Sequence, residues 1–269
     1  MSAALVWERL EPFGALIACD LSRSMAPEQE QALKDLLDRH GLLLARGQSL
    51  TMERQRSLCA LFGPILDRAG EGGVMSNEAG GYAASALNWH SDAAYTPDPF
   101  DALSLHALDV EPDASSTLFV DARAALDRLP ADLRAALEGR LQDMIAPHYT
   151  RLDRITCESP DPEALKHGTM PAIMAHPRTG EAVLWVNAMQ TARLHGMDWR
   201  ASRDILLEVF RHLYAPEYVL RHDWRKGDIV IWDNVSLQHS RGNVEQVGRR
   251  VLQRVIVGRA GVAPHVETA

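Results

Sequence analysis

Basic charge, paired cysteines and long apolar runs are all scarce in this sequence, and each shortage excludes something. Lys and Arg number 28 against 36 Asp and Glu, for a formal charge of -8 and a pI near 5.8. A nucleic-acid or anionic-membrane partner calls for a basic face, so neither is expected. A small acidic substrate remains compatible, because one local arginine can bind an anion inside an acidic protein. The three cysteines, Cys19, Cys59 and Cys157, are odd in number, far apart and without a CxxC pair. They read as reduced thiols of a cytoplasmic protein, not as a disulfide framework or zinc knuckle. The first nine residues lack a basic region followed by an apolar run, so no signal peptide is expected. No stretch approaches the roughly 20 apolar residues of a membrane span. Internal repeats, low-complexity tracts and Pro/Gly/Ser-rich linkers are also missing, so all 269 residues read as one domain.

What is present is an ordinary globular composition, 46% hydrophobic and 24% charged. A chain of this length buries roughly three quarters of its extended surface without disulfide staples. Leu33, Leu36 and Leu37 recur at helical spacing, and the pattern predicts a helix from Pro27 to about His40, stopped by Gly41. Leu42 to Ala45 reads as a buried strand. A second helix is predicted from about Thr51 to Phe62, with Thr51 or Ser49 as cap. Residues 67–86 hold five glycines and read as a long binding loop. Beyond it, short strands are expected near 87–93, 102–109, 115–119, 142–149, 172–176, 182–187, 217–222, 228–233 and 249–257. Helices near 121–139 and 200–213 interrupt them. The pattern predicts a mainly β protein with flanking α-helices, built on a sandwich or jelly roll.

The chemistry is concentrated in two segments. Asn88-Trp89-His90-Ser91-Asp92 sets a His and an Asp two residues apart, on one face if the segment is a strand. Such a pair is two thirds of the facial triad that holds non-haem iron(II). The alternative is a His and an Asp that bond to each other or to backbone. A nearby decoy, His106 and Asp109, has a spacing that does not fit one strand face. The C-terminal segment runs from Gly227 through Ile229-Val230-Ile231-Trp232-Asp233-Asn234 to His239. Arg250 follows His239 by eleven residues and Arg254 by fifteen. On a strand from Arg249 to Val257, both arginines share a face with positions 252 and 256. Arginine matches a carboxylate with a planar fork and stays charged when partly buried. The competing reading pairs both arginines with acidic side chains on a sheet face.

HxD, the Trp-Asp-Asn segment, the later His and the two arginines together resemble the taurine dioxygenase / 2,4-dichlorophenoxyacetate dioxygenase family. The resemblance runs from about Gly14 to Gly258. Gly14 to Ser22 is similar to the family's opening strand, Leu42 to Gln48 to the strand and turn after the first helix, and Leu61-Phe62-Gly63 to a helix end. Thr117 lies 27 residues after His90, where the family places a Thr on the co-substrate. His176 to Glu181, followed by Leu184-Trp185-Val186-Asn187, is a further signature. The resemblance implies a double-stranded β-helix (jelly roll, cupin-like) core. It also implies iron(II), 2-oxoglutarate and dioxygen as cofactors. By the same carry-over, His90, Asp92 and His239 bind and use the metal. Arg250 and Thr117 hold the distal carboxylate of 2-oxoglutarate, and Arg254 lies near the metal to contact co-substrate, substrate or both. Trp232 packs near the iron site, or is a core Trp.

The implied reaction couples oxidative decarboxylation of 2-oxoglutarate, to succinate and carbon dioxide, to attack on a substrate C–H bond. A carboxylate at Asp92, where related halogenases carry a small residue, favours hydroxylation or oxidative cleavage after it. Two departures from the family stand out. Ser115-Ser116 replaces a common diglycine. Arg68 and Ala86 stand where taurine-acting members carry a substrate-binding His and Asn, so taurine is not the expected substrate. Arg68 is a candidate anchor for a carboxylate, sulfonate or sulfate, and otherwise a solvated loop residue. Met75, Tyr82 and Gln190 are candidates for the pocket wall, with His148 and His195 nearby. The expected substrate is a small to medium organic acid, and self-association into a homo-oligomer is expected. The alternatives are desaturation or epoxidation with the same cofactors, a non-catalytic metal-binding jelly roll, and a zinc hydrolase. The last two leave Thr117, Arg250 and Arg254 without a use.

Overall fold

The structure is a computed structural model that describes residues 4–66, 73–80, 84–112, 115–146, 152–158 and 166–259. Two short strands, β1 (Trp7–Arg9) and β2 (Ala15–Ile17), lead to α1 (Pro27–His40). Pro27 suits the first turn because its missing N–H would have no partner there. Gly41 closes the helix at φ 71°, and its N–H bonds the Leu37 carbonyl at 2.8 Å. β3 (Leu42–Ala45) and α2 (Met52–Cys59) follow, with the Thr51 hydroxyl accepting from the Arg54 N–H at 3.1 Å. Helix α2 is shorter than the sequence predicts, since the chain passes into tight turns before Gly63.

Next come β4 (Gly73–Ser76), β5 (Leu87–His90), β6 (Ala102–Val110) and β7 (Ser116–Asp121). Strand β4 lies inside the segment read as a loop, and it is an edge strand paired with the C-terminal strand. The helix expected over 121–139 is two helices, α3 (Ala122–Arg128) and α4 (Ala131–Leu137). Pro130 separates them, because proline carries no N–H to continue the ladder. The chain continues through β8 (Leu141–Ile145), β9 (Lys166–Pro171), β10 (Ile173–Ala175), β11 (Ala182–Leu184) and β12 (Thr191–Leu194) to α5 (Trp199–Leu213). It ends with β13 (Leu220–Asp223), β14 (Ile229–Asp233), β15 (Leu237–Arg241) and β16 (Arg250–Val257).

Two sheets position the site. One has seven strands in the order β1-β2-β3-β14-β6-β16-β4, and the other has four in the order β13-β7-β15-β5. Their inner faces share one apolar cluster, with Leu103, Val230 and Trp232 from the first and Phe119, Leu220 and Leu237 from the second. Helices α3 and α5 cover the outer side of the smaller sheet through a separate cluster centred on Trp185, Leu206 and Phe210. Small antiparallel sheets, β10-β11 and β12-β8-β9, extend that side. No helix among the described residues is long and apolar enough to cross a membrane.

Candidate active site

The antiparallel pairing of β5 with β15 sets His90 directly opposite His239. Their rings lie 4.2 Å apart, centroid to centroid. The strand argument from the sequence holds for His90 but not for Asp92, because β5 ends at His90. Asp92 is held instead by Asn234, whose Oδ1 accepts from the Asp92 N–H at 2.8 Å. The Asn234 amide donates to the carbonyls of Asp92 and Phe100, each at 2.9 Å. One side chain thus replaces the strand ladder that Asp92 has left. The next residue, Ala93, takes φ 58°, the one positive φ outside glycine among the described residues. That conformation costs a non-glycine residue on the order of 1 kcal/mol and persists only where the surroundings enforce it.

His90, Asp92 and His239 are all buried, and one ligand atom from each lies within 4.8 Å of the others. The Nδ1 of His90 sits 2.7 Å from the Asn88 carbonyl, which can only accept. Nδ1 therefore donates to that carbonyl, and Nε2 is left as a buried atom with no hydrogen-bond partner. Nε2 is 3.2 Å from the Asp92 carboxylate. Burial works against charge on Asp92, but Arg254, His90 and His239 outweigh it and hold the carboxyl well below the usual range. Arg254 Nη2 is 2.5 Å from Asp92 Oδ2. Burial, joined by His90, Arg254 and Arg241, pushes His239 well below its ordinary value despite the pull of Asp92. The cluster thus presents one carboxylate oxygen and two imidazole nitrogens, a donor set suited to a divalent transition metal.

Thr117, Arg250 and Arg254 open into the same cavity as Asp92 and His239. Arg250 is 2% exposed. Its N–H bonds Asn77 Oδ1 at 2.9 Å, and its Nε donates to Ser115 Oγ at 2.8 Å. Nη1 is buried without a partner. Burial, with a smaller push from Arg241, brings Arg250 down to about 9. A bound anion would reverse that shift, since it stabilises the charged form. The hydroxyl of Thr117 accepts from Trp224 Nε1 at 2.9 Å, which leaves its own proton to be donated elsewhere.

The other candidates scatter. Met75, on β4, lines the cavity with Leu87, Leu103 and Leu105. Trp232 also lines it, edge-on to His239, and its buried Nε1 has no partner. Gln190 does not line this cavity, because its Oε1 accepts from the Asn187 amide at 2.9 Å within a buried turn. His195 is turned toward Asp143, 2.9 Å away in another sheet. Arg68, Tyr82 and His148 lie outside the described residues. The decoy pair stays apart from the site. His106 meets the Gln48 carbonyl, while Asp109 faces Lys226 and Arg249.

The sequence reading missed Asn234, Ser115, Trp224 and Arg241 as parts of the site. Leu237, His239 and Arg241 share one face of β15, but with one apolar residue among them the segment carries no alternation that marks a strand. The Ser115-Ser116 departure supplies the hydroxyl that accepts from Arg250 Nε and orients it. The His176 to Glu181 turn serves the scaffold, because His176 and Arg178 both bind Asp233 at the start of the turn into β15.

The fold and the cluster define a class: a mainly β protein whose two larger sheets hold a buried two-histidine, one-carboxylate set beside arginines. The family profile described as "Taurine catabolism dioxygenase TauD, TfdA family" matches residues 8–256, and the chain belongs to that family. Its members are oxidoreductases that use iron(II), 2-oxoglutarate and dioxygen. One relative is the alpha-ketoglutarate-dependent 2,4-dichlorophenoxyacetate dioxygenase of Cupriavidus pinatubonensis. It is 27% identical, with 87% of this chain and 90% of the relative covered. Another is pentalenolactone F synthase of Streptomyces avermitilis, 26% identical over 90% of each chain. A crystal structure of a taurine dioxygenase from Burkholderia xenovorans has the same fold. Its TM-score is 0.78 at 24% identity, with 98% of this chain and 92% of that one covered.

Proposed function

We propose that this chain is an iron(II)- and 2-oxoglutarate-dependent dioxygenase of a small to medium organic acid. It would hydroxylate that acid, or cleave it oxidatively after hydroxylation, with release of succinate and carbon dioxide. The two facing sheets read as a double-stranded β-helix within one dioxygenase domain, supported by a family match over residues 8–256. The observation that carries the proposal is the cluster of His90, Asp92 and His239, two of whose members line the cavity that also receives Thr117, Arg250 and Arg254.

His90, Asp92 and His239 would hold iron(II). With iron(II) bound there, dioxygen would be the oxidant and 2-oxoglutarate the two-electron co-substrate for C–H cleavage. The chain's own residues supply the rest. Arg250 offers its unpartnered Nη1, and Thr117 its hydroxyl proton, to the distal carboxylate. Arg254 keeps Asp92 ionised and in place. Leu87, Leu103, Leu105 and Met75 give the cavity apolar walls that exclude water and accept the substrate's carbon skeleton. The relatives' range, from a 2,4-dichlorophenoxyacetate dioxygenase to a pentalenolactone F synthase, supports an organic substrate with an apolar body.

The test is succinate release, measured over a panel of organic acids and their neutral methyl esters. Acids should stimulate release, and the matching esters should not. Equal stimulation by the esters would contradict an acid substrate, and no succinate with any partner would contradict the activity.

A further inference from the structure

Arg241 is a buried cation in the cavity that the roles above leave without a task. It follows His239 by two residues on β15, so both side chains leave the strand on the same face. Arg241 is 5% exposed and lines the cavity together with Thr117 and Arg250. The strand pairing fixes its height. Ser240 lies opposite Leu118, and one step further along the two antiparallel strands come Arg241 and Thr117. Its Nη2 donates to the Ser85 carbonyl at 2.6 Å, which sets the direction of the guanidinium.

Arg250 reaches the same region from the opposite sheet, where its Nε is tied to Ser115, two residues before Thr117. The charge of Arg241 adds to burial in disfavouring the charge of Arg250, as expected for two guanidiniums in one low-dielectric cavity. Two like charges brought together beside an alcohol donor suit an anion with several acceptor sites. A carboxylate has two oxygens and about four lone-pair directions, enough for two arginines and a hydroxyl.

We infer that Arg241 is a specificity-determining residue that joins Arg250 and Thr117 on the distal carboxylate of the co-substrate, forming a two-arginine clamp. The inference rests on the reading above, in which this end of the cavity takes 2-oxoglutarate. It makes the distal carboxylate, not only the 2-oxo acid head, a main source of co-substrate affinity. A 2-oxo acid without that carboxylate is then strongly disfavoured.

The full-length protein, loaded with iron(II) without oxygen, is titrated with 2-oxoglutarate and with pyruvate, following the visible band of the chelated 2-oxo acid. Pyruvate carries the same head and lacks the distal carboxylate. Arg241→Gln should raise the 2-oxoglutarate Kd about 10- to 100-fold, the range for losing a charge-assisted hydrogen bond, and leave the pyruvate Kd within about twofold. Should that variant not fold, Arg241→Lys keeps the charge but loses the fork, and should weaken 2-oxoglutarate several-fold with the same selectivity. An unchanged 2-oxoglutarate Kd overturns the inference, and so does equal weakening of both ligands, which marks a purely structural role. Failure of the underlying reading looks different: the wild-type protein then shows no preference for 2-oxoglutarate over pyruvate.

Discussion

The pH dependence of stability should carry a distinct contribution from one histidine behind the co-substrate end of the cavity. His222 is buried on β13, opposite Thr117, with its ring edge-on to Trp224 at 4.5 Å. Burial, followed by the charge of Arg46, pushes its pKa down to about 3 from an unfolded value of 6.5; Asp223 pulls the other way, Arg225 adds a smaller push, and the Asp228 carboxylate lies 3.4 Å from Nε2. The sign follows directly. The folded state keeps His222 neutral while the unfolded chain protonates it, so the unfolded state binds more protons between these two values. Stability is complete above about pH 6.5 and falls as the pH drops toward 3. Between about pH 7.5 and 5 the unfolded histidine gains nearly a full proton, and the loss comes to about 2 kcal/mol. His222→Gln keeps a polar side chain and removes the titration. Urea unfolding of both proteins at pH 7.5, 6.5, 5.5 and 5 gives two stability curves. Their separation should shrink by about 2 kcal/mol from the first pH to the last, whatever the substitution costs at neutral pH. Other buried histidines contribute equally to both curves and cancel. Parallel curves would refute the reasoning, because they would mean that His222 titrates alike in both states.

Three further substitutions probe the site and its frame. Asn234→Ala removes two hydrogen bonds to the Asp92 backbone and one to Phe100, and should weaken iron(II) binding about 10- to 100-fold, measured by competition with a metal-sensitive dye. Trp224→Phe takes away the donor to Thr117 and should raise the 2-oxoglutarate Kd about 2- to 10-fold, with iron affinity unchanged. Gly63→Ala places a Cβ 2.9 Å from Val257 at φ 152° and should lower stability by about 1–3 kcal/mol in denaturant melts without altering ligand binding.

Legibility in the sequence followed the range of the interactions. Helix α1 was readable to the residue because Pro27, the Leu33-Leu36-Leu37 spacing and Gly41 are all local signals. Strands β6, β14 and β16 were readable because both their faces are largely buried and their apolar runs are continuous. Strand β4 was hidden by its glycines and by its edge position, where one partner suffices. Strand β15 was hidden because most of its residues are polar: its inner face carries His239 and Arg241 instead of aliphatics. The three candidate metal ligands came from the HxD spacing together with the family resemblance, but the reason Asp92 reaches His90 did not. That depends on Asn234, 142 residues away along the chain. Ser115 and Trp224 escaped for the same reason, since each acts only through a partner from a distant strand.

The most direct test of the central claim is anaerobic titration of the protein with iron(II) and 2-oxoglutarate, followed by visible absorption. The account predicts a weak charge-transfer band that saturates at one iron and one 2-oxoglutarate per chain. It also predicts that folded His239→Ala loses the band. Absence of the band in folded wild-type protein, or its persistence in His239→Ala, would contradict the assignment of His90, Asp92 and His239 as the iron site.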